Sequence, residues 1–432
     1  MKKIYLSVLG FALICRMQVY AQTAKDSIGR LNPGFSLATT AAQDTNAYRP
    51  RRLRVDEVNF VSSYYKQDGN HSAVTGGIGT EKVTDIANGI DLKLVWFGNT
   101  LNKNTLSVGL GFDHHTSASA AYVSQTGASN TGGSRVYPSL DWTVENTKKG
   151  TSFGIGSYYS GEYNYQSLGA DLHFSAKTTN RMGEFGVKVQ GYFDQVKLIY
   201  PSEFIPQSTT TVTTVTTASG NSSTSQGGGK AKIPSSPRNT YSASFSYSQI
   251  VTSRLQIMFL ADVVTQHGFL SLPFHRVYFS NGKDTIERLP SSRFKLPLGF
   301  RANYFLGDNV ILRSYYRYYT DNWGTKSNTA NLEIAYKVTP FFSISPFYRY
   351  YTQTAAKYFA PYEQNSASQT YFTSNYEYAK FNSQFFGAGI RLAPPKGVLG
   401  WQSLHEVEIR YGHYKQDTGL SSDVVSLSLG FK

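Results

Sequence analysis

The stretch VVSLSLGFK (residues 424–432) decides how the rest of the chain is read. Val425, Leu427, Leu429 and Phe431 fall on one face of an extended strand; Ser426, Ser428, Gly430 and Lys432 fall on the other. A period of two marks a strand buried on one face only. Such a strand is expected to pair with one made earlier. If the same pattern recurs along the chain, it is placed to close a ring.

The pattern recurs. Sixteen alternating runs follow residue 54, near 55–66, 84–97, 104–115, 136–146, 151–162, 165–177, 184–198, 239–251, 254–267, 294–306, 309–320, 328–338, 341–352, 380–392, 402–414 and 421–431. Most reach the roughly 9–11 residues that a tilted strand needs to cross a bilayer. In GIDLKLVW, Ile90, Leu92, Leu94 and Trp96 share a face, and in TLSVGLGF so do Leu106, Val108, Leu110 and Phe112. After even-numbered runs the connections are short and rich in turn formers: NTKKG, TSR, GDN, VTP. After odd-numbered runs several are long, near 67–83, 116–135, 199–238, 268–293 and 353–379. A soluble β-sandwich would share the strand spacing but not this asymmetry. Nor would it place so many Tyr and Phe at strand ends, where they suit an interfacial girdle. The expected fold is all-β: one transmembrane antiparallel β-barrel of sixteen strands, with fourteen and eighteen as alternatives, short periplasmic turns and long extracellular loops. The near-terminal Phe431 resembles the signal by which barrel assembly machinery recognises its clients.

Composition agrees. Charged residues make up only 16% of the 432, well below the usual quarter, while 32 Tyr and 27 Phe raise the aromatics to 15%. Beyond the leader, no stretch reaches the eighteen apolar residues of a spanning helix. In a spanning barrel, alternation hides the lipid-facing residues from any window average. Residues 1–21 read as a signal peptide: Lys2 and Lys3, then the apolar IYLSVLGFALIC, then VYA before a cut ahead of Gln22. Cys15, the only cysteine, lies in that leader, so the mature chain is expected to carry no disulfide. Residues 22–52 are polar and aperiodic and end in the basic knot RPRRLR, which reads as a periplasmic N-terminal segment or small plug. Residues 53–432 form the barrel. Of the net charge of +14, Lys2, Lys3 and Arg16 leave with the leader. The remaining excess fits an anionic membrane surface or a basic pore lining. No recognition helix, zinc spacing or Lys/Arg stripe points to nucleic acid.

The block RVDEVNFVSSYYKQDGNHSAVTGGIGTEKVTDIANGIDLKL, with DHHTSAS, RVYPSLDW, YNYQSLGA and PFHRVYF, resembles an uncharacterised family of exported Gram-negative outer-membrane β-barrel proteins, a domain of unknown function. The resemblance spans roughly residues 50–432. It implies an outer-membrane barrel and supplies no activity, substrate or catalytic residue.

Few motifs carry chemistry. GGIGTEK (residues 76–82) lacks the spacing of a phosphate loop and lies between strands, so it is expected to be a flexible surface loop. In DHH, His114 and His115 point to opposite faces of a strand and cannot ligate one ion. Asp113 and His115 share a face with Asp141, Asp171 and His173; ordinary pore lining is favoured over a weak cation site. PFHRVYF (residues 273–279) is expected to pack on the barrel rim rather than fold over the mouth. No Ser, His and acid spacing argues for nucleophilic catalysis, and no catalytic residue, metal or cofactor is expected.

The inward faces carry the stronger signal, because their charges segregate by sign. Runs ten to fourteen supply a basic arc of Arg301, Arg313, Arg317, Lys337, Arg349 and Arg391 against one acid, Glu333. The other runs supply an acidic arc of Glu57, Asp91, Asp113, Asp141, Glu145, Asp171, Asp194, Asp262, Glu406 and Glu408 against Lys93, Lys188 and Arg410. The two signs nearly cancel, so mild ion selectivity is expected. The leading expectation is a porin-like channel for small polar solutes, seated in outer-membrane lipid and not an enzyme. The alternatives are an anchor for a surface or periplasmic protein partner, and a barrel enzyme acting on lipid or protein.

The stretch TTTVTTVTTASGNSSTSQGGGK, within 199–238, is too polar to build a core and reads as a mobile extracellular loop. Loop entropy changes slowly with length. Deletion of residues 205–232 is therefore expected to leave the heat-modifiable gel migration of the folded barrel intact. Loss of that shift would show the loop to be structural.

Overall fold

A computed structural model of the protein describes residues 52–98, 102–116, 132–204, 213–216, 222–225 and 233–432. The alternating runs become strands: β1 Arg54–Asp68, β2 Val83–Phe97, β3 Lys103–His115, β4 Gly133–Asn146, β5 Thr151–Gly161, β6 Tyr165–Lys177, β7 Gly183–Lys197, β8 Ser235–Thr252, β9 Leu255–Gly268, β10 Ser292–Leu306, β11 Val310–Asp321, β12 Lys326–Thr339, β13 Phe342–Gln353, β14 Phe381–Leu392, β15 Leu404–Gln416 and β16 Ser421–Phe431. They form one closed antiparallel barrel in chain order, and β16 returns to β1. The strand count is thus sixteen, not fourteen or eighteen.

The closing seam runs without a register shift from Val58 opposite Phe431 to Asp68 opposite Ser421. Phe60, Leu427, Leu429 and Phe431 pack together there. The stretch that ends the chain is the strand that closes the ring. Elsewhere four register shifts occur, at Val55/Glu57, Ile250/Thr252, Lys337/Thr339 and Leu404/Glu406. All four lie at the short-turn end, where bulges bend the wall without disturbing the ladder at mid-height.

Alternation sorts the side chains. Ile90, Leu140, Ile155, Leu172, Phe259 and Ile409 point outward and stay exposed, as a lipid-facing band requires. Outward tyrosines flank that band: Tyr247, Tyr304 and Tyr336 towards the short turns, Tyr159, Tyr241 and Tyr350 towards the long loops. With every strand paired on both edges, no backbone N–H or C=O row is left open to hydrocarbon. The described parts of the low-complexity loop form a short hairpin, Thr213–Thr216 with Ser222–Ser225; the rest of residues 205–232 lies outside the described residues. The leader at 1–21 and residues 22–51 of the N-terminal segment also lie outside them.

Leu172 sits at the centre of β6 on the outer face, 52% exposed. Leu172→Arg is expected to cost about 2–4 kcal/mol, the depth-dependent penalty of a cation at the bilayer midplane. Urea titration of the heat-modifiable band in lipid vesicles measures it.

Candidate functional site: a charged lumen under a loop cap

Alternation fixes which side chains enter the lumen, and register decides what each one meets. On the acidic arc most acids meet a partner. Arg135 grips Asp113, with Nε at 2.9 Å and Nη2 at 2.5 Å from the same oxygen. Asp171 receives Lys188 at 3.1 Å, His173 at 2.9 Å and the Tyr158 hydroxyl. Asp141 lies 3.8 Å from the same Nδ1 of His173, whose Nε2 meets the Thr143 hydroxyl at 3.0 Å. Tyr165 donates to Asp194, Lys177 reaches Glu145 at 3.2 Å, and Glu57 lies opposite Lys93 in register. Asp262 has Ser244 and Arg317 as neighbours. Asp91 lies opposite Asn59, in the row above that pair. At the far end of the arc Arg391 pairs with Glu406 at 2.8 Å and Arg410 with Glu408 at 2.9 Å.

Asp141, Asp171 and His173 offer ligand atoms within 4.8 Å of one another. The Lys188 ammonium and the Tyr158 hydroxyl already hold Asp171, so side chains supply the positive charge and donors that an ion would bring. Asp113 and His115 do not join that group: Arg135 holds the first, and Glu162 lies 3.4 Å from the second. Burial raises the Glu162 carboxyl above the usual range, against the opposing pull of His115 and Arg135.

The basic arc is built differently. Three of its guanidiniums lie over aromatic rings: Arg301 over Tyr315 at 5.2 Å, Arg317 over Tyr319 at 5.9 Å and Arg349 over Phe385 at 4.9 Å. Glu333, its one acid, is clamped between Arg313 and Arg410, each at 2.6 Å on a different oxygen. Lys337 sits at the short-turn end of β12. The sequence reading left out the inward Arg135, Arg238, Arg293 and Lys295, which lie at strand ends. The signal was present: Arg293 lies one step before the run at 294–306, and Lys295 lies inside it, alternating with Phe294 and Leu296 in SRFKLPL.

Above the lumen, the long loops form a cap that the sequence did not announce. Strands β1 and β9 are eight apart in the ring of sixteen and so face each other across the barrel. Arg276, in the loop after β9, donates to the Val74 carbonyl, in the loop after β1, at 2.8 Å and to Glu203, after β7, at 2.5 Å. Those bonds bridge the mouth. The loop after β13 joins them: His71 stacks on Tyr376 at 3.6 Å, and Phe279 meets Phe372 edge-on at 4.9 Å. The cap rests on inward residues of the rim. Arg238 donates to the carbonyls of Phe269 and Ser271, and Gln353 to those of Glu377 and Ala379. Beneath it lies a small polar cavity lined by Arg293, Tyr319, Tyr351, Gln353 and Tyr378.

Two sequence expectations fail here. PFHRVYF does not pack on the rim: His275 and Arg276 are buried between loops that span the mouth. GGIGTEK does not lie wholly at the surface either: Gly76 and Gly77 are buried, whereas Ile78, Gly79, Thr80 and Lys82 are exposed. Gly77 has φ +88°, and a Cβ on it would stand 2.5 Å from the Ser374 carbonyl; a Cβ on Gly76 would stand 2.6 Å from the Tyr278 ring. These glycines are there for close approach between loops.

Two buried titratable groups knit the cap. The Glu287 carboxyl accepts from the Leu272 amide at 2.6 Å and from the Thr373 hydroxyl at 2.5 Å, with Glu377, Arg238 and Tyr378 around it. Burial pushes it up to about 7 from an ordinary 4.5. His275 Nε2 accepts from the Ser374 amide at 3.1 Å, so its proton sits on Nδ1, which faces the Ala73 backbone without good hydrogen-bond geometry. Burial holds His275 down to about 3 from 6.5.

The arrangement defines the class: a transmembrane β-barrel whose lumen is polar, charged and roofed by its own loops. The chain belongs to the family described as "Protein of unknown function (DUF3570)", which matches residues 36–422. Its structure is similar to OccK1 (OpdK) of Pseudomonas aeruginosa, at 6% identity and TM-score 0.38 over 89% of this chain and 99% of that one. It is also similar to OccK2 (OpdF) of the same organism in complex with glucuronate, at 8% identity and TM-score 0.38 over 87% and 96% of the chains. A BenF-like porin from Pseudomonas fluorescens Pf-5 gives 7% identity and TM-score 0.39 over 89% and 100%. No curated protein matches the chain.

The two buried groups act in opposite senses. Glu287, raised in the closed cap, stabilises closure fully below pH 4.5 and loses that contribution as pH rises through about 7. His275, depressed in the closed cap, stabilises closure above pH 6.5 and loses that contribution as pH falls through about 3. Between 4.5 and 6.5 the terms offset, and wild-type closure is expected to be nearly flat. Glu287→Gln is expected to expose the His275 term, with closure weakening by up to about tenfold per pH unit below 6.5. His275→Asn is expected to leave the opposite trend. Hydrogen exchange at the Leu272 and Ser374 amides, corrected for intrinsic rates, reads both.

Proposed function

We propose that this protein is a Gram-negative outer-membrane channel for small polar solutes, non-enzymatic, with its outer mouth controlled by the loop cap. One observation carries the reading. Arg313 and Arg391 point into the barrel, yet their side chains remain 51% and 48% exposed. Solvent-accessible space therefore opens inside the wall at its short-turn end, and sixteen strands enclose a lumen of the size that holds an aqueous path. The lipid-facing band, the aromatic flanks and the export leader support the location. The arcs of opposite sign support a transverse field, which low-dielectric walls focus and which favours polar over apolar solutes. Assembly machinery that reads the Phe431 strand is part of the same proposal.

A second reading has its own observation. Ordered loops from opposite sides of the ring meet over the mouth, as suits a sealed barrel that anchors a surface or periplasmic protein partner.

Planar-bilayer recording separates the two. Wild type is expected to conduct in small steps with mild ion selectivity. Gly77→Leu, which forces a side chain against the Ser374 carbonyl, is expected to raise open probability severalfold by loosening the cap. If neither protein conducts while both show the folded gel shift, the anchoring reading replaces the channel.

A further inference from the structure

Six consecutive strands, β10 to β15, each contribute one inward residue to a single register row. The row reads Arg301, Tyr315, Asn331, Arg349, Phe385, Tyr414. It holds two guanidiniums and no carboxylate. Each guanidinium lies over a neighbouring ring, Arg301 over Tyr315 at 5.2 Å and Arg349 over Phe385 at 4.9 Å. Arg301 is exposed and Arg349 half-buried, so both remain accessible from within.

No acid of the wall is available to them. Glu333 belongs to the adjacent row, opposite Arg313 and Phe347, and both its oxygens are taken, one by Arg313 and one by Arg410. Among the described residues no salt bridge reaches Arg301 or Arg349, whereas Arg135, Lys188, Arg313, Arg391 and Arg410 each have a carboxylate within 3.1 Å. Arg317, one row nearer the cap, adds its charge to the field at Arg349. A half-buried cation without a counter-ion is costly unless something supplies the negative charge. Guanidinium edges present paired donors that match the two oxygens of a carboxylate or phosphate.

We propose that this row is a binding station for the oxyanion group of a small solute, a carboxylate or a phosphate. The station deepens the channel reading by naming a solute class for it, but occupancy itself does not require conduction.

The test uses the full mature chain in detergent and two solutes of the same shape. Saturation-transfer NMR is recorded with propionate and with its neutral isostere propionamide, and phosphorus line broadening with inorganic phosphate. Wild type is expected to give a saturable propionate signal and none with propionamide. Arg301→Gln with Arg349→Gln is expected to weaken propionate at least tenfold while keeping the folded gel shift. Should that pair fail to fold, Arg349→Lys, which keeps the charge and loses the fork, is expected to weaken it severalfold. Phosphate binding lost in the same variants assigns both oxyanions to the station; phosphate without effect restricts it to carboxylates. Equal signals from propionate and propionamide, or propionate affinity unchanged in the folded variants, overturn the proposal. Conductance is read separately. Binding without current keeps the station and removes the channel; current without binding removes only the station.

Discussion

A backbone that crosses hydrocarbon must pair every N–H and C=O with another backbone group. Here that demand is met by one seam, β1 against β16, which turns fifteen hairpin-linked pairings into a ring. Without it two strand edges would stand open to lipid. The rest of the structure depends on closure. Only in a closed wall does a period-two sequence have an outside for Leu172 and Ile409 and an inside for Asp171 and Arg349.

Inside the ring the physics is of charges beside a low-dielectric wall, and the two arcs solve it differently. The acidic arc is neutralised locally, by Arg135 on Asp113 and Lys188 on Asp171. The basic arc leans on aromatic faces, and its single acid is shared by two arginines. Gly387, Gly389 and Gly412 keep the wall between β13 and β15 low enough for Arg410 to lie over the Phe347 ring and reach Glu333 on β12. The asymmetry places unneutralised positive charge on one side of the lumen.

The cap sets the other condition for function. It is built from long loops, yet it is packed as a small core, with Trp323, Leu270 and Leu289 buried together and His275 and Glu287 sealed between loops. Its bonds cross the mouth rather than follow the rim, so access from the long-loop side depends on whether those loops part.

Much of the fold was legible in the sequence because its determinants are local. Alternation is visible residue by residue, turn chemistry sits in two to five residues, and the contrast of short turns with long loops needs only counting. Sixteen strands, their order and the closing role of residues 424–432 followed from these. Charged residues at strand ends, such as Arg135 and Arg293, lay just outside the alternating runs. What each charge touches did not follow. A cross-strand partner depends on register, and a slip of one residue moves a side chain to the other face. The cap was invisible for a related reason: its contacts join loops far apart in the chain, as Arg276 joins Val74 and Tyr376 joins His71, and composition alone made glycine-rich and aromatic loops look loose. The sequence by itself determined that a ring of alternating strands forms. The tertiary structure alone decided that the ring is roofed, and that Arg301 and Arg349 share a row with no acid, because both depend on which distant segments closure brings together.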